Sequence, residues 1–266
     1  MLNLSGGFTS DFVWNSEDAQ RGYLVMSNRW AGQFTFQTGD GSKDHTAYVL
    51  ADYDPLTKKN TPNSSLFWWD KGRWAGQELQ WDAATVCCST TPRNEILILG
   101  VERQVARIEN GSLAEEKSIP THSIAPSEMR RSKTINGRAY VVGGHEIYRR
   151  ENINQWKAVH SKLNPSLGDE PSFEALDGFS DDEIYVVGWS GSIWYFDGSF
   201  WQQCESPTRE NLTSIECAED GWVYICGSRG TVLKGRKDTW GFVEPRHHTR
   251  LFLGCPVVSG KTLSHV

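Results

Sequence analysis

The residue types that could do chemistry are scattered along this sequence rather than gathered. His247 and His248 are the one pair of adjacent histidines, flanked by Arg246 and Arg250. A metal ion would need a third and a fourth ligand from elsewhere, so the pair reads as a solvated polar connection. Asp181-Asp182-Glu183 stands directly before the apolar run Ile184 to Val187. Such a cluster can clamp a cation, but ahead of a buried strand it mostly serves solubility. Asp177 together with Asp181 or Asp182 would supply the two carboxylates of a glycosidase if they lay about 5–10 Å apart. Arg130-Arg131 with Lys133, and Arg149-Arg150, are basic groups suited to phosphate or an acidic partner. The six cysteines show no C-x-x-C spacing and read as free thiols on strands. There is no Ser-containing nucleophile elbow, no H-E-x-x-H and no Walker loop. The expectation is a non-catalytic protein with no metal and no cofactor.

The elements that carry these residues are set by composition and repetition. A 266-residue chain that is 38% hydrophobic and 12% aromatic has enough apolar side chains to bury a core. Its formal charge of −6 argues against a general nucleic-acid binder. No run approaches the roughly 18 apolar residues of a membrane helix. The opening MLNLSGGFTSDFVWNSED lacks the basic and apolar segments of a secretory signal. These features place the protein in the cytoplasm, with no membrane partner and no direct nucleic-acid binding.

One phrase, RWAGQ, occurs at Arg29 to Gln33 and again at Arg73 to Gln77. Its Trp marks a wider series: Trp30, Trp74, Leu113, Trp156, Trp201 and Trp240, spaced 44, 39, 43, 45 and 39 residues apart. Upstream lies a second shared element: Ile96-Leu-Ile-Leu-Gly100, Ala139-Tyr-Val-Val-Gly143, Ile184-Tyr-Val-Val-Gly188 and Val223-Tyr-Ile-Cys-Gly227. An unbroken apolar, β-branched run closed by Gly reads as a strand buried on both faces. A tight turn and an alternating strand follow, as in Ser192-Ile-Trp-Tyr-Phe. Asp197-Gly198 and Asn110-Gly111 supply hairpin turns, and the Trp opens a further strand. With one strand ahead of the buried run, each unit holds four, and a period of 40 to 45 residues predicts a β-propeller. Six anchors predict about six blades, with five or seven as alternatives, in a single domain over residues 1–266. Phe12-Val-Trp14 and Tyr23 to Met26 with the C-terminal Arg250 to Val258 are expected to share the blade that closes the ring.

In these motifs the chain resembles bacterial β-propellers whose units read Tyr-Val-Val-Gly and then Asp-Gly-x-x-Trp, over residues 47 to 243. Trp81-Asp82 lies outside the slot a WD40 unit would use, only Gly143-Gly144 gives the doublet of a kelch unit, and Asp197 breaks the sialidase Asp-box. Some propellers of this kind act as partners of secreted toxins. The resemblance therefore implies a bacterial immunity or antagonist protein that binds a toxin effector domain and occludes it. An acidic protein would suit a basic target. The alternative is a carbohydrate-binding or carbohydrate-active propeller (lectin, glycosidase or lyase) that uses Trp as sugar platforms.

Contact residues are expected where the units stop matching, because a rigid repeat carries recognition on its loops. The connection Ala51 to Ser64 is an insertion where other units have three or four residues. It offers Asp52, Tyr53, Asp54, Lys58 and Lys59 to a protein partner. Trp189, in the equivalent short turn, and the basic pair Arg130 and Arg131 complete the expected contact set. Longer connections from Glu115 to Ser132 and from Ser161 to Pro171 are further elaborations.

Overall fold

The computed structural model describes residues 34–41, 46–70, 73–109, 111–121, 126–160 and 172–243. These form five four-stranded antiparallel sheets with strands in sequence order. The first holds β1 (Phe34–Gly41), β2 (Ala47–Tyr53), β3 (Ser64–Asp70) and β4 (Arg73–Leu79); the second holds β5 (Ala83–Ser89), β6 (Glu95–Gly100), β7 (Val105–Glu109) and β8 (Ser112–Glu116). The third runs through β9 (Arg131–Ile135), β10 (Arg138–Gly143), β11 (Glu146–Asn152) and β12 (Gln155–Ala158). The fourth is β13 (Phe173–Ser180), β14 (Glu183–Gly188), β15 (Ile193–Phe196) and β16 (Trp201–Gln203). The fifth is β17 (Leu212–Cys217), β18 (Val223–Gly227), β19 (Val232–Arg236) and β20 (Thr239–Phe242). Two compact units contain them: Met1–Ser89 with Arg93–Ile119, and Thr90–Pro92 with Pro120–Val266.

The expected strand roles fall where the repeat puts them. The apolar runs are the second strands β6, β10, β14 and β18, and Trp74, Leu113, Trp156, Trp201 and Trp240 lie on the fourth strands. Trp30 and the strands expected to close the ring lie outside the described residues. So do His247, His248 and the whole connection from Ser161 to Pro171.

Burial explains why the second strands are apolar throughout. Successive side chains of β14 alternate between faces, yet both faces are covered. Ile184 and Val186 pack with Ile135, Tyr140, Val142 and Trp201 of the third and fourth sheets. Tyr185 and Val187 pack with Leu212, Ile215 and Val223 of the fifth. Each fully buried aliphatic side chain contributes about 1.5–3 kcal/mol. In the first unit the same role falls to Leu50, Leu66, Val86, Ile98 and Ala106.

The glycine that closes each apolar run is required by space. A Cβ on Gly188 would lie 2.0 Å from the Ser172 carbonyl oxygen, one on Gly143 1.9 Å from that of Glu128, and one on Gly227 2.5 Å from that of Asn211. The chain entering the innermost strand crosses there. It is tied by the next amide: Val101 N–H donates to Asp82 O, Trp189 N–H to Ser172 O and Ser228 N–H to Asn211 O.

Trp201 is buried and its Nε1 donates to Val159 O at 3.0 Å. Trp240 meets Tyr185 edge-on at 5.9 Å and donates to Lys237 O. The fourth-strand Trp is thus a packing residue at both positions. The cysteines depart from the expected uniform set of free thiols: among the described residues Cys87, Cys88, Cys204 and Cys217 are thiols outside any disulfide, whereas Cys226 is disulfide-bonded. Burial pushes the Cys204 thiol up to about 11 and raises that of Cys217 as well, so neither is a thiolate at neutral pH.

Candidate functional site

In the first unit the insertion is a folded turn. Pro55 sits at the start of a single helical turn, α1 (Asp54–Thr57), where its fixed φ and missing N–H are tolerated. Asn63 pins both ends, accepting from Tyr53 N–H at 2.8 Å and donating to Thr61 O at 2.9 Å. The Asp52 carboxylate accepts from Ser64 Oγ and Gln37 Nε2, each at 2.8 Å, and burial raises its pKa against those hydrogen bonds. Asp54 accepts from Thr35 Oγ1 at 2.8 Å, and the Tyr53 ring meets Phe34 at 5.2 Å. Asp52, Tyr53 and Asp54 therefore hold the insertion in place, and Lys58 and Lys59 stand exposed beyond it.

In the second unit the structure brings Arg130 and Trp189 together. Arg130 precedes β9, and its backbone N–H donates to Val142 O at 2.9 Å. Its guanidinium reaches the next sheet, where Nη1 bonds Phe173 O at 3.2 Å and pairs with Glu174. The guanidinium carbon stands 5.3 Å from the Trp189 ring centroid, within cation–π range. Trp189 Nε1 donates to the same Glu174 oxygen. The ring remains 49% exposed, so an aromatic side chain is presented to solvent in a fixed pose. Arg131, the first residue of β9, is exposed.

The turn behind Trp189 is held equally well. Ser190 and Gly191 both adopt positive φ, 55° and 74°, and Ser192 N–H closes the turn on Trp189 O. This is the primed hairpin geometry that favours Asn-Gly. Ser190 N–H donates to Asn211 Oδ1 at 3.0 Å, linking the turn to the fifth sheet.

The acidic residues named as a catalytic pair have other employment. Asp177 lies on β13, 3% exposed; Oδ1 accepts from Gly178 N–H and Oδ2 from Cys217 N–H, each at 2.8 Å. Lys133 Nζ stands 3.3 Å from Asp177 and 2.7 Å from Glu216. Burial pushes the Asp177 carboxyl up to about 6, against the pull of Lys133. At the more exposed Lys133 burial is outweighed, and the two carboxylates raise its pKa. Asp181 accepts from Tyr140 Oη and, at 2.9 Å, from Asn136 Nδ2 of the third sheet. Glu183 takes a two-pronged contact from Arg236 of the fifth sheet, at 2.8 and 3.0 Å. These carboxylates bind sheet to sheet.

Sequence reasoning missed this inter-sheet stitching, although a signal was present. Asp40-Gly41 in the first unit repeats the device: Asp40 accepts from Gly41 N–H and from Cys88 N–H, each at 2.8 Å. These two Asp-Gly pairs thus each meet a Cys on the first strand of the following sheet, unlike Asp197-Gly198, which caps its own hairpin turn. Among the described residues, no three His, Cys, Asp or Glu side chains are grouped to hold a metal ion. Nor is any helix there long and apolar enough to cross a membrane.

No protein-family model matches the chain. Similar solved structures include YCF48 bound to D1 peptide (18% identity, TM-score 0.55, 80% of this chain and 68% of that one). YCF48 from Cyanidioschyzon merolae is 12% identical with a TM-score of 0.55, over 80% of this chain and 72% of that one. The WD40 β-propeller domain of Doa1 is 10% identical with a TM-score of 0.55, over 76% of this chain and 65% of that one. At such identities the likeness shows the fold, a β-propeller, and nothing of its chemistry. A sequence relationship reaches further: the immune protein Tsi7 of Pseudomonas aeruginosa is 38% identical over 221 residues, which cover 79% of this chain and 72% of that protein. On that identity and coverage, the β-propeller described above belongs to the family of the immune protein Tsi7.

Proposed function

We propose that this protein neutralises a cognate toxin by binding it and occluding its working surface, without catalysis of its own. The observation that carries the reading is the 38% identity to the immune protein Tsi7 across most of both chains. The geometry supports it through the posed Trp189 under the Arg130 guanidinium, because a rigid, half-exposed Trp beside an Arg is the composition of an interface hot spot; the exposed Arg131 is included in the proposed contact set. Lys58 and Lys59, raised on the insertion that Asp52, Tyr53 and Asp54 anchor, form the second contact element.

The proposal includes one propeller of about six blades over residues 1–266, of the Tyr-Val-Val-Gly and Asp-Gly-x-x-Trp type, closed by strands from both ends of the chain. It also places the protein in the cytoplasm. The test is isothermal titration of the full chain against the toxin domain co-purified with it from its native host, with growth of cells expressing that domain as the second readout. Stoichiometric binding and restored growth are expected. Restored growth without a complex would sink occlusion as the mechanism.

A further inference from the structure

The turn between β18 and β19 repeats the Trp189 turn one sheet on, and it carries a feature that packing does not call for. Arg229 and Gly230 adopt positive φ, 55° and 74°, and Thr231 N–H closes the turn on Ser228 O at 3.1 Å. The first position of such a turn favours Gly, which has no Cβ to crowd the carbonyl oxygen, or Asn and Asp, whose short polar side chains hydrogen-bond locally and offset that crowding. The fold meets that preference elsewhere, with Asn136-Gly137 at 48° and 79°. Lys237, also at positive φ (56°), is held by packing: its N–H donates to Tyr185 Oη and its carbonyl accepts from Trp240 Nε1. The Arg229 turn stands clear, since a Cβ on Gly230 would meet nothing within 4 Å. The Arg229 side chain is 84% exposed, and its ion pair with Glu210 is a single 3.4 Å contact.

This turn is coupled to the Trp189 turn through one residue. Asn211 accepts from Ser190 N–H with its side chain and from Ser228 N–H with its main chain. Arg130, Trp189, Ser190, Asn211 and Arg229 therefore follow one another along a single edge of the second unit. A strained turn that packing does not demand points to a functional side chain at its tip.

We infer that Arg229 is a specificity contact of this edge, receiving a carboxylate on the toxin while Trp189 supplies the apolar anchor. The inference rests on the toxin-binding reading above. A guanidinium suits this role because its planar fork matches a carboxylate, and the long exposed contact with Glu210 is weak enough to be exchanged. A rim charge of this kind acts on association rate and salt dependence, whereas the buried anchor acts on dissociation.

The experiment is surface plasmon resonance of the full chain against the same toxin domain, at low and high NaCl, with thermal denaturation of each variant. For R229N, association is expected to slow about threefold at low salt, and for R229E about tenfold, both differences closing at high salt. Dissociation stays within about twofold of wild type. The melting temperature of R229N equals or exceeds that of wild type by about 2 °C, because Asn suits the turn better. Wild-type association by R229E at low salt overturns the assignment, as does a slowing that comes with a lowered melting temperature. Absence of any wild-type binding removes the toxin-binding reading and the assignment together, and is told apart by the control arm alone.

Discussion

Asp177→Asn isolates the electrical cost of the innermost strands. In the folded protein the Asp177 carboxyl titrates near pH 6 against an ordinary 3.8, because burial outweighs Lys133 and two backbone donors. Between those values the folded state holds more protons than the unfolded one, so stability falls as pH rises through the window. At about 1.4 kcal/mol for each tenfold, the full fall is about 3 kcal/mol, complete above pH 6 and absent below pH 4. Asn keeps one acceptor for Cys217 or Gly178 and carries no charge, so its own stability has no such slope. Urea denaturation of both proteins from pH 4 to 8 measures the difference. The variant should gain about 3 kcal/mol on wild type across the window, whatever fixed cost the lost acceptor adds. A difference that is flat, or that moves towards wild type as pH rises, would show that Lys133 and the backbone donors outweigh burial, and the argument would fail.

Lys133→Met leaves Asp177 and Glu216 facing each other without their cation and should cost about 3 kcal/mol at pH 8, with a smaller loss at pH 5, both read by urea titration. Gly188→Ala puts a Cβ 2.0 Å from Ser172 O, where only backbone can yield; a loss of about 3 kcal/mol, some 6–12 °C in melting temperature, is expected. Gly241→Ala, with nothing within 4 Å, is the matched control and should stay within about 0.5 kcal/mol of wild type. Trp189→Ala should weaken the toxin complex by about 2 kcal/mol, seen as faster dissociation, while the melting temperature moves by no more than about 4 °C because half of the ring already faces solvent.

Sheet order and strand roles were legible because they depend on local patterns. Ile184 to Val187 reads as doubly buried from its unbroken apolar run, and the structure covers both faces with different sheets. Gly188 marks the strand end in sequence, although its reason is contact with the Ser172 carbonyl, which no local pattern reveals. The inter-sheet role of the acidic residues stayed hidden for a related cause. Asp177 and Asp181 looked like chemistry because carboxylates on a loop and a strand can serve as an acid–base pair. Their partners, Cys217 N–H and Tyr140 Oη, lie 40 and 41 residues away on neighbouring sheets. The Arg130–Trp189 pairing was only half visible: both residues stood out, but nothing in the sequence set the guanidinium over that ring.

The same backbone requirement met by different residues separates scaffold from surface in this protein. Positive φ recurs at the tips of three turns, where Asn136, Ser190 and Arg229 supply it, at 48°, 55° and 55°. The Asn136 side chain also donates to Asp181, whereas at Ser190 and Arg229 the backbone angle is the main demand, so those side chains are open to other selection at a cost of about 1 kcal/mol. Asp40 and Asp177 show the opposite case. Both accept from the amide of the following Gly and from a Cys amide on the next innermost strand. Replacing either leaves an amide of the following sheet without its acceptor, at about 1–3 kcal/mol. A protein under pressure to follow a changing toxin can therefore alter Ser190 or Arg229 at little cost to the fold, whereas the Asp-Gly pairs must persist. The recognition residues of this family should accordingly be sought at turn tips whose angles recur and whose side chains do not.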